Sequence, residues 1–139
     1  MSSFNFEIQG AKELERALKQ LGPKIEKSVA KSAVRAGANV IAKEARLRVP
    51  QESGTLKRSI RVVARSRRTG DAVASVVTRS GKRWNAKRMN AWYAPLVEFG
   101  TKLRPATPFL RPALDSRAAE AIKAMSDKIQ QRIAKFGAG

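Results

Sequence analysis

The first fifty residues carry apolar side chains at the spacing of α-helices. Leu14, Leu18 and Leu21 recur every three or four positions between charged residues, and Gly22-Pro23 interrupts the pattern. A second apolar face follows and ends before a proline at position 50; it consists of Ile25, Val29, Ala33, Ala36 and Val40. The many small residues of this second segment should allow another backbone to approach closely. We therefore predict a pair of helices within residues 1–50.

The period of the pattern changes to two near residue 59. In Ser59–Ser66 apolar residues alternate with arginines, and Ala72–Thr78 is rich in valine and alanine. Gly70 lies in the turn-like sequence RRTGDA between the two segments, and Ser53-Gly54 is a turn signal before the first. We predict that the two segments pair as an antiparallel β-hairpin within residues 51–80.

The next two segments are irregular. Residues 81–92 are basic, contain both tryptophans and show no clear period, which predicts an extended loop that becomes ordered only in context. The nine residues that follow, YAPLVEFGT, fit a short helix between Pro95 and Gly100. They also fit a strand in which Val97 and Phe99 alternate with Glu98. We favour the short helix slightly.

Prolines dominate the segment before the last helix. Pro105, Pro108 and Pro112 fix φ and remove backbone donors, which predicts a stiff extended arm within residues 93–111. Pro112 then opens a helix over residues 112–136. The apolar stripe of this helix consists of Leu114, Ala118, Ile122, Met125, Ile129, Ile133 and Phe136. We expect the stripe to pack over the sheet and onto the second helix.

Together these segments predict one α+β domain that spans residues 1–139. An N-terminal helix pair and a long C-terminal helix pack on a small antiparallel sheet. No apolar run reaches the length of about 18 residues that a transmembrane helix needs. The N-terminus also lacks the basic flank and apolar core of a signal peptide.

The chain lacks the residues that most enzymes use. It contains no cysteine and no histidine, which removes thiolate nucleophiles, the commonest general base and the commonest metal ligand. Glu98 is the sole carboxylate between Asp71 and Asp115, so no second acid lies nearby in the sequence for paired-carboxylate chemistry. We predict no catalytic residue, no metal and no cofactor. Glu98 should pair with arginine, lysine or the backbone amides of a turn.

The charge of the chain points to an acidic partner. There are 29 lysines and arginines against 11 acidic residues, a net charge of +18. The candidate contact residues on and after the hairpin are Arg61, Arg65, Arg67, Arg68, Arg79, Lys82, Arg83, Lys87 and Arg88. The partner is either a DNA backbone, contacted without sequence specificity, or an acidic neighbouring protein. Trp84 and Trp92 could stack on bases, but no recognition-module signature accompanies them.

Three tracts resemble those of a known family. SGTLKRSI, YAPLVEFGT and PFLRPAL occur in this order, and together they resemble the tail-completion, or neck, proteins of long-tailed lambda-like double-stranded DNA bacteriophages. The matching residues are Ser53, Gly54, Thr55, Leu56, Ser59, Ile60, Tyr93, Ala94, Val97, Glu98, Phe99, Gly100, Thr101, Pro108, Phe109, Leu110, Pro112 and Ala113. The resemblance covers most of the chain from about Leu21 onward.

The resemblance implies a structural virion protein without catalytic residues. Such proteins form rings of six or twelve copies that complete the tail top and join it to the filled head. The implied partners are copies of itself, a tail terminator and a head-completion or connector ring; the basic charge adds non-specific contact with packaged DNA. The implied location is the virion neck or tail, after assembly in the host bacterial cytoplasm. We also expect a docking arm that inserts into a neighbouring subunit or ring; it comprises Pro105, Pro108, Phe109, Leu110 and Pro112. The alternative function is that of a non-specific basic DNA-binding protein.

Overall fold

The structure, a computed structural model, describes residues 16, 19–20, 22–50, 54–68 and 71–137. Its elements are α1 (Pro23–Arg48), α2 (Thr55–Ser59), β1 (Ile60–Ser66), β2 (Ala72–Thr78), a 3-10 turn (Lys82–Trp84), α3 (Ala94–Phe99) and α4 (Leu110–Gly137). The predicted α+β class is confirmed. Within the described part of the chain, no helix is both long and apolar enough to span a bilayer.

Only fragments of the first predicted helix fall within the described residues. Arg16, Lys19 and Gln20 are helical, whereas Leu14, Leu18 and Leu21 lie outside the description. The predicted helix pair is therefore represented mainly by its second member, α1.

Helix α1 begins and ends where its sequence dictates. Pro23 occupies the first turn, where a helix has no use for the missing N–H. The helix ends at Arg48 because Val49, which precedes a proline, is extended with φ −67° and ψ 143°. Its buried face consists of Val29, Ala33, Gly37, Ile41, Ala42 and Ala45.

The C-terminal helix α4 packs along α1. A Cβ atom on Gly37 would lie 2.7 Å from Cγ of Met125 and 3.2 Å from the carbonyl oxygen of Ala121. The two helices therefore approach closely at Gly37, as the small residues of α1 predicted. The sheet packs on α1 as well, whereas α4 makes few contacts with the sheet. Helix α4 thus packs on the second predicted helix, with Met125 of the predicted stripe at the contact, but it does not cover the sheet as expected, and Leu114 of the stripe is 40% exposed.

The hairpin has the predicted antiparallel pairing, in a register that runs from Ile60 opposite Thr78 to Ser66 opposite Ala72. The predicted turn residue Gly70 lies outside the described residues. Successive side chains of a strand point to opposite faces. Ile60 and Ala64, which are 2% and 8% exposed, face α1, so the arginines of β1 lie on the outer face.

A short helix that the sequence did not predict precedes the hairpin. Gly54 has φ 72°, and one helical turn, α2, follows it. Ser59 ends this turn rather than beginning the strand, and its Oγ donates a hydrogen bond to the carbonyl oxygen of Leu56 at 2.6 Å. Five residues are too few for a helical period to be visible in the sequence.

The core is made of alanines and branched aliphatic side chains together with one aromatic ring. Phe109 is fully buried, and the residues that surround it in one cluster are Ile41, Ala42, Ala45, Val49, Leu56, Ile60, Ala91, Ala94, Ala113 and Ala121. Leu56 and Ile60 come from the first resembling tract, Ala94 from the second, and Phe109 and Ala113 from the third. The fold therefore brings all three tracts into one core.

Candidate functional site

The segment YAPLVEFGT forms the helix α3, which decides between the two alternatives left open by the sequence. Pro95 lies in its first turn, and the helix ends before Gly100, which has φ 76°. Residues four positions apart lie on the same side of a helix, so Ala94 and Glu98 share one side and Phe99 lies on another. Ala94 and Glu98 are 3% and 9% exposed, whereas Phe99 is 81% exposed.

The carboxylate of Glu98 binds the N-terminus of α4. Its Oε2 accepts hydrogen bonds from the backbone N–H groups of Phe109 at 2.7 Å and Leu110 at 3.0 Å. Its Oε1 accepts one from the N–H of Arg111 at 3.1 Å. Pro112 has no N–H group, so Glu98 satisfies the donors that a helix leaves free at its start. The negative charge also complements the positive end of the helix dipole.

Glu98 is therefore a structural anion. The expectation that it pairs with backbone amides is confirmed, although the amides belong to the start of α4 rather than to a local turn. The same contacts explain why α4 begins at Leu110, two residues before the predicted start at Pro112. A proline in the first turn of a helix loses no hydrogen bond.

Phe109 corrects the expected docking arm. The sequence suggested that Phe109 inserts into a neighbouring subunit, but its side chain is 0% exposed in the core of its own chain. Leu110 is partly buried against the same core. The cause is Glu98, which holds the amides of both residues and so turns Phe109 inward.

Residues 101–108 form a closed loop instead of an extended arm. The N–H of Thr107 donates to the carbonyl oxygen of Val97 at 2.9 Å, and a Cβ on Gly100 would lie 2.6 Å from the backbone nitrogen of Ala106. Thr101 Oγ1 accepts hydrogen bonds from the N–H groups of residues 103 and 104 at 3.2 and 3.1 Å. All eight residues are exposed, including the prolines at 105 and 108, and Leu103 is 95% exposed.

An apolar groove opens beside Phe99. It has a volume of about 890 Å³ and lies between α1, β2, α3 and the start of α4. Its lining includes Val34 and Ile41 from α1, Val76 from β2 and Leu114 from α4. Two further apolar side chains on or just before α3 are also exposed: Leu96 by 49% and Trp92 by 66%. We call the groove together with Phe99 the groove surface.

Most of the other motif residues support the fold. Leu56 is 4% exposed, Gly54 supplies the left-handed turn before α2, and Thr55 begins that helix. Tyr93 is half-buried, and its ring packs edge-on against Trp92 with centroids 5.8 Å apart. Ser53 lies outside the described residues.

Four of the nine candidate basic residues surround Trp84. The guanidinium carbons of Arg61, Arg79 and Arg83 lie 5.8, 5.1 and 4.5 Å from the centroid of its ring, and Nζ of Lys87 lies 5.5 Å from it. We call this group the Trp84 cluster. The remaining candidates are exposed; they are Arg65, Arg67, Arg68, Lys82 and Arg88. The sequence indicated the cations but not the aromatic ring that they share. The sequence signal that could have revealed this arrangement is a tryptophan with basic residues on both sides.

The basic loop is folded rather than extended. After the 3-10 turn, the N–H of Met89 donates to the carbonyl oxygen of Trp84 at 3.1 Å. The Oδ1 of Asn90 accepts from the N–H of Gly81 at 2.8 Å, and its Nδ2 donates to Oδ1 of Asn85 at 2.6 Å. The prediction of an extended loop is wrong because these side-chain amides close the segment on itself.

A second acidic residue, which sequence reasoning did not single out, ties the two long helices together. Glu44 on α1 accepts hydrogen bonds from Nε of Arg117 on α4 at 3.1 Å and from Nε of Arg48 at 3.0 Å. The hydrogen bond from Arg117, helped by Arg48, lowers the pKa of Glu44 below its usual value, although partial burial opposes the shift.

Comparison with known proteins gives one match. Residues 12–100 match the HK97-gp10-like family, which is described as "Bacteriophage HK97-gp10, putative tail-component". No curated protein and no solved structure matches the chain. The matched region contains Glu98, Phe99 and the Trp84 cluster, whereas the loop 101–108 and α4 follow it.

Proposed function

The chain belongs to the HK97-gp10-like family of bacteriophage tail components, and we propose that it forms a ring at the top of the tail. The ring completes the tail and joins it to the DNA-filled head. The resemblance of the three tracts to neck proteins supports this role. The proposed role is structural and contains no catalytic step.

The observation that carries the proposal is the groove surface. Phe99 is 81% exposed at the rim of an apolar groove, in the part of the chain that matches the family. Burial of one large apolar side chain contributes about 1.5–3 kcal/mol. A contiguous exposed apolar surface of this kind is typical of a protein–protein contact. We assign it to a second copy of this chain.

A ring needs a contact between two different surfaces of the same molecule, repeated until the rotation closes. The groove surface provides one of them, and a ring of six or twelve copies is the arrangement that the family resemblance favours. In the assembled virion the ring lies in the neck, and assembly takes place in the host cytoplasm.

The loop 101–108 is proposed to contact the next ring, either a tail terminator or a head-completion or connector ring. Its base is fixed by Gly100 and Thr107, so little conformational freedom is lost on docking. Leu103, at 95% exposure, and Pro105 lie on this loop, and Leu103 is its apolar anchor. This assignment replaces Phe109 by Leu103 in the docking role.

The test is a Phe99→Ser substitution supplied from a plasmid to a phage that lacks the functional gene. Heads, tails and joined particles are counted by electron microscopy. Because the substitution removes an exposed apolar contact from every copy in the ring, joined particles should fall by about tenfold or more. The matched control is Leu47→Ser, since Leu47 on α1 is also exposed, at 64%, but does not line the groove.

We expect Leu47→Ser to give joined particles at the wild-type frequency. Equal numbers of joined particles from both variants and the wild type would show that the groove surface does not mediate assembly. Thermal unfolding of the purified Phe99→Ser variant must remain at the wild-type temperature, so that the loss is attributed to assembly.

A further inference from the structure

The Trp84 cluster gathers four cations around one aromatic ring. Cation–π attraction favours a position within about 6 Å of the ring, and all four cations lie within that distance. These distances run to the ring, and like charges gathered around one ring repel one another. The arrangement is therefore suited to an anion that neutralises several of them together.

The sequence around the cluster supplies few acids. No Asp or Glu occurs between Asp71 and Glu98, an interval that contains five lysines and arginines. Glu98 is buried and its oxygens bind the amides at the start of α4. Glu44, by contrast, binds Arg48 and Arg117 on the long helices.

The cations continue beyond the cluster as a stripe. Arg61 and Arg65 lie on the outer face of β1, and Arg67 and Arg68 are exposed at the hairpin end. A strand rises about 3.3 Å per residue, so the stretch from Arg61 to Arg65 of β1 spans roughly 13 Å. Each strand of B-DNA carries one phosphate per 3.4 Å of helix axis, so about four phosphates per strand lie along that length.

We propose that this outer face, consisting of the Trp84 cluster and Arg65, binds the phosphate backbone of duplex DNA without reading its sequence. Arginines suit this ligand because their planar guanidinium groups match phosphate oxygens in pairs. An extended polyanion also matches a stripe of cations better than a single carboxylate does.

Trp84 positions the cations and does not stack on bases. Its ring is half-buried, and four cations lie within 4.5 to 5.8 Å of its centroid, where they compete with a stacked base. The surrounding loop is fixed before binding: the N–H of Ala91 donates to the carbonyl oxygen of Arg79 at 2.8 Å. Little ordering is therefore needed when DNA binds. The proposed contact with DNA is a separate property from ring formation, and an isolated copy of the chain can make it.

The test measures binding of the purified full chain to a fluorescently labelled duplex of mixed sequence, from about 50 to 200 mM salt. The variant is the double substitution Arg83→Gln, Lys87→Gln. Each lost phosphate contact should reduce the slope of log K against log salt by about 1, so the double variant should lose about 2. The charge-matched control is Lys27→Gln, Lys31→Gln, which removes two exposed cations from α1.

We expect the control to retain the wild-type slope to within about 0.5, which is half of one phosphate contact. An equal loss of slope in both double variants would overturn the proposal, because net charge alone would then account for binding. Binding of poly-glutamate, but not of duplex DNA, through Arg83 and Lys87 would also overturn it and identify an acidic protein as the partner. Counting joined particles made with the Arg83→Gln, Lys87→Gln variant tests the proposed ring separately from DNA binding, because the groove surface is unchanged in this variant.

Discussion

Two pairs of residues in the junction between α3 and α4 lie close together in the sequence and face in opposite directions. Glu98 and Phe109 point inward: the carboxylate binds three backbone amides, and the ring is fully buried. Phe99 and Leu103 point outward and are 81% and 95% exposed. One short segment thus stabilises the fold with one set of side chains and leaves another set free for a partner. Substitutions in the two pairs should separate stability from assembly.

The largest effect on stability is expected for Phe109→Ala. The ring is fully buried in a packed cluster of alanines and branched aliphatic side chains, and its removal leaves a cavity, so the free energy of unfolding should fall by about 3–5 kcal/mol. Urea unfolding of the purified protein measures the change. The control is Leu103→Ala, which should alter the free energy by less than about 0.5 kcal/mol. Equal stability of the two variants would show that the buried Phe109 contributes no more to the fold than the exposed Leu103.

A smaller loss is expected for Glu98→Gln. The amide side chain keeps the shape but removes the charge that complements the start of α4, and its NH₂ group cannot accept a hydrogen bond. Hydrogen bonds to a charged group contribute about 1.5–3 kcal/mol, so the loss of free energy of unfolding should be roughly 2 kcal/mol. Glu120→Gln, at an exposed carboxylate on α4, is the control. If the Glu98→Gln protein were as stable as the wild type, the contacts between Glu98 and the start of α4 would not stabilise the fold.

The smallest effect belongs to Glu44, whose partners Arg48 and Arg117 are 39% and 40% exposed and therefore screened by solvent. Because the folded state lowers the pKa of Glu44, its contribution is present above the usual value of 4.5 and is lost as the pH falls through the folded-state pKa. The stability difference between wild type and Glu44→Gln should therefore shrink on acidification below pH 4.5. Unfolding curves at several pH values measure it, and a constant difference would contradict the ion pair.

Long periodic segments were predictable from the sequence. The apolar repeats of α1, the two strands and α4 extend over enough residues to define each element. The faces themselves shifted: of the predicted face of α1 only Val29 and Ala33 are buried, and Leu114 of the α4 stripe is 40% exposed. The tie between Glu98 and residues 109–111 was only partly predictable. A lone carboxylate in a turn suggested amide partners, but which amides it binds depends on how the loop 101–108 closes.

The error at Phe109 has the same origin. Its place between two prolines suggested an exposed anchor, because proline-rich segments are stiff and usually extended. Because the loop 101–108 closes, the side chain of Phe109 points into the core. The contacts that close the loop join residues about ten positions apart, which no local sequence pattern reveals. Exposure of Phe99 was equally hidden, since α3 has only six residues and shows no clear apolar face in the sequence.

We propose that the groove surface is buried between copies of this chain in the virion. The most direct measurement is an electron cryomicroscopy reconstruction of the neck of the intact particle. We expect a ring in which the side chain of Phe99 contacts a neighbouring copy, while Glu98 still binds the amides of Phe109, Leu110 and Arg111. A ring in which Phe99 faces solvent in every copy would show that the groove surface is not the contact between copies.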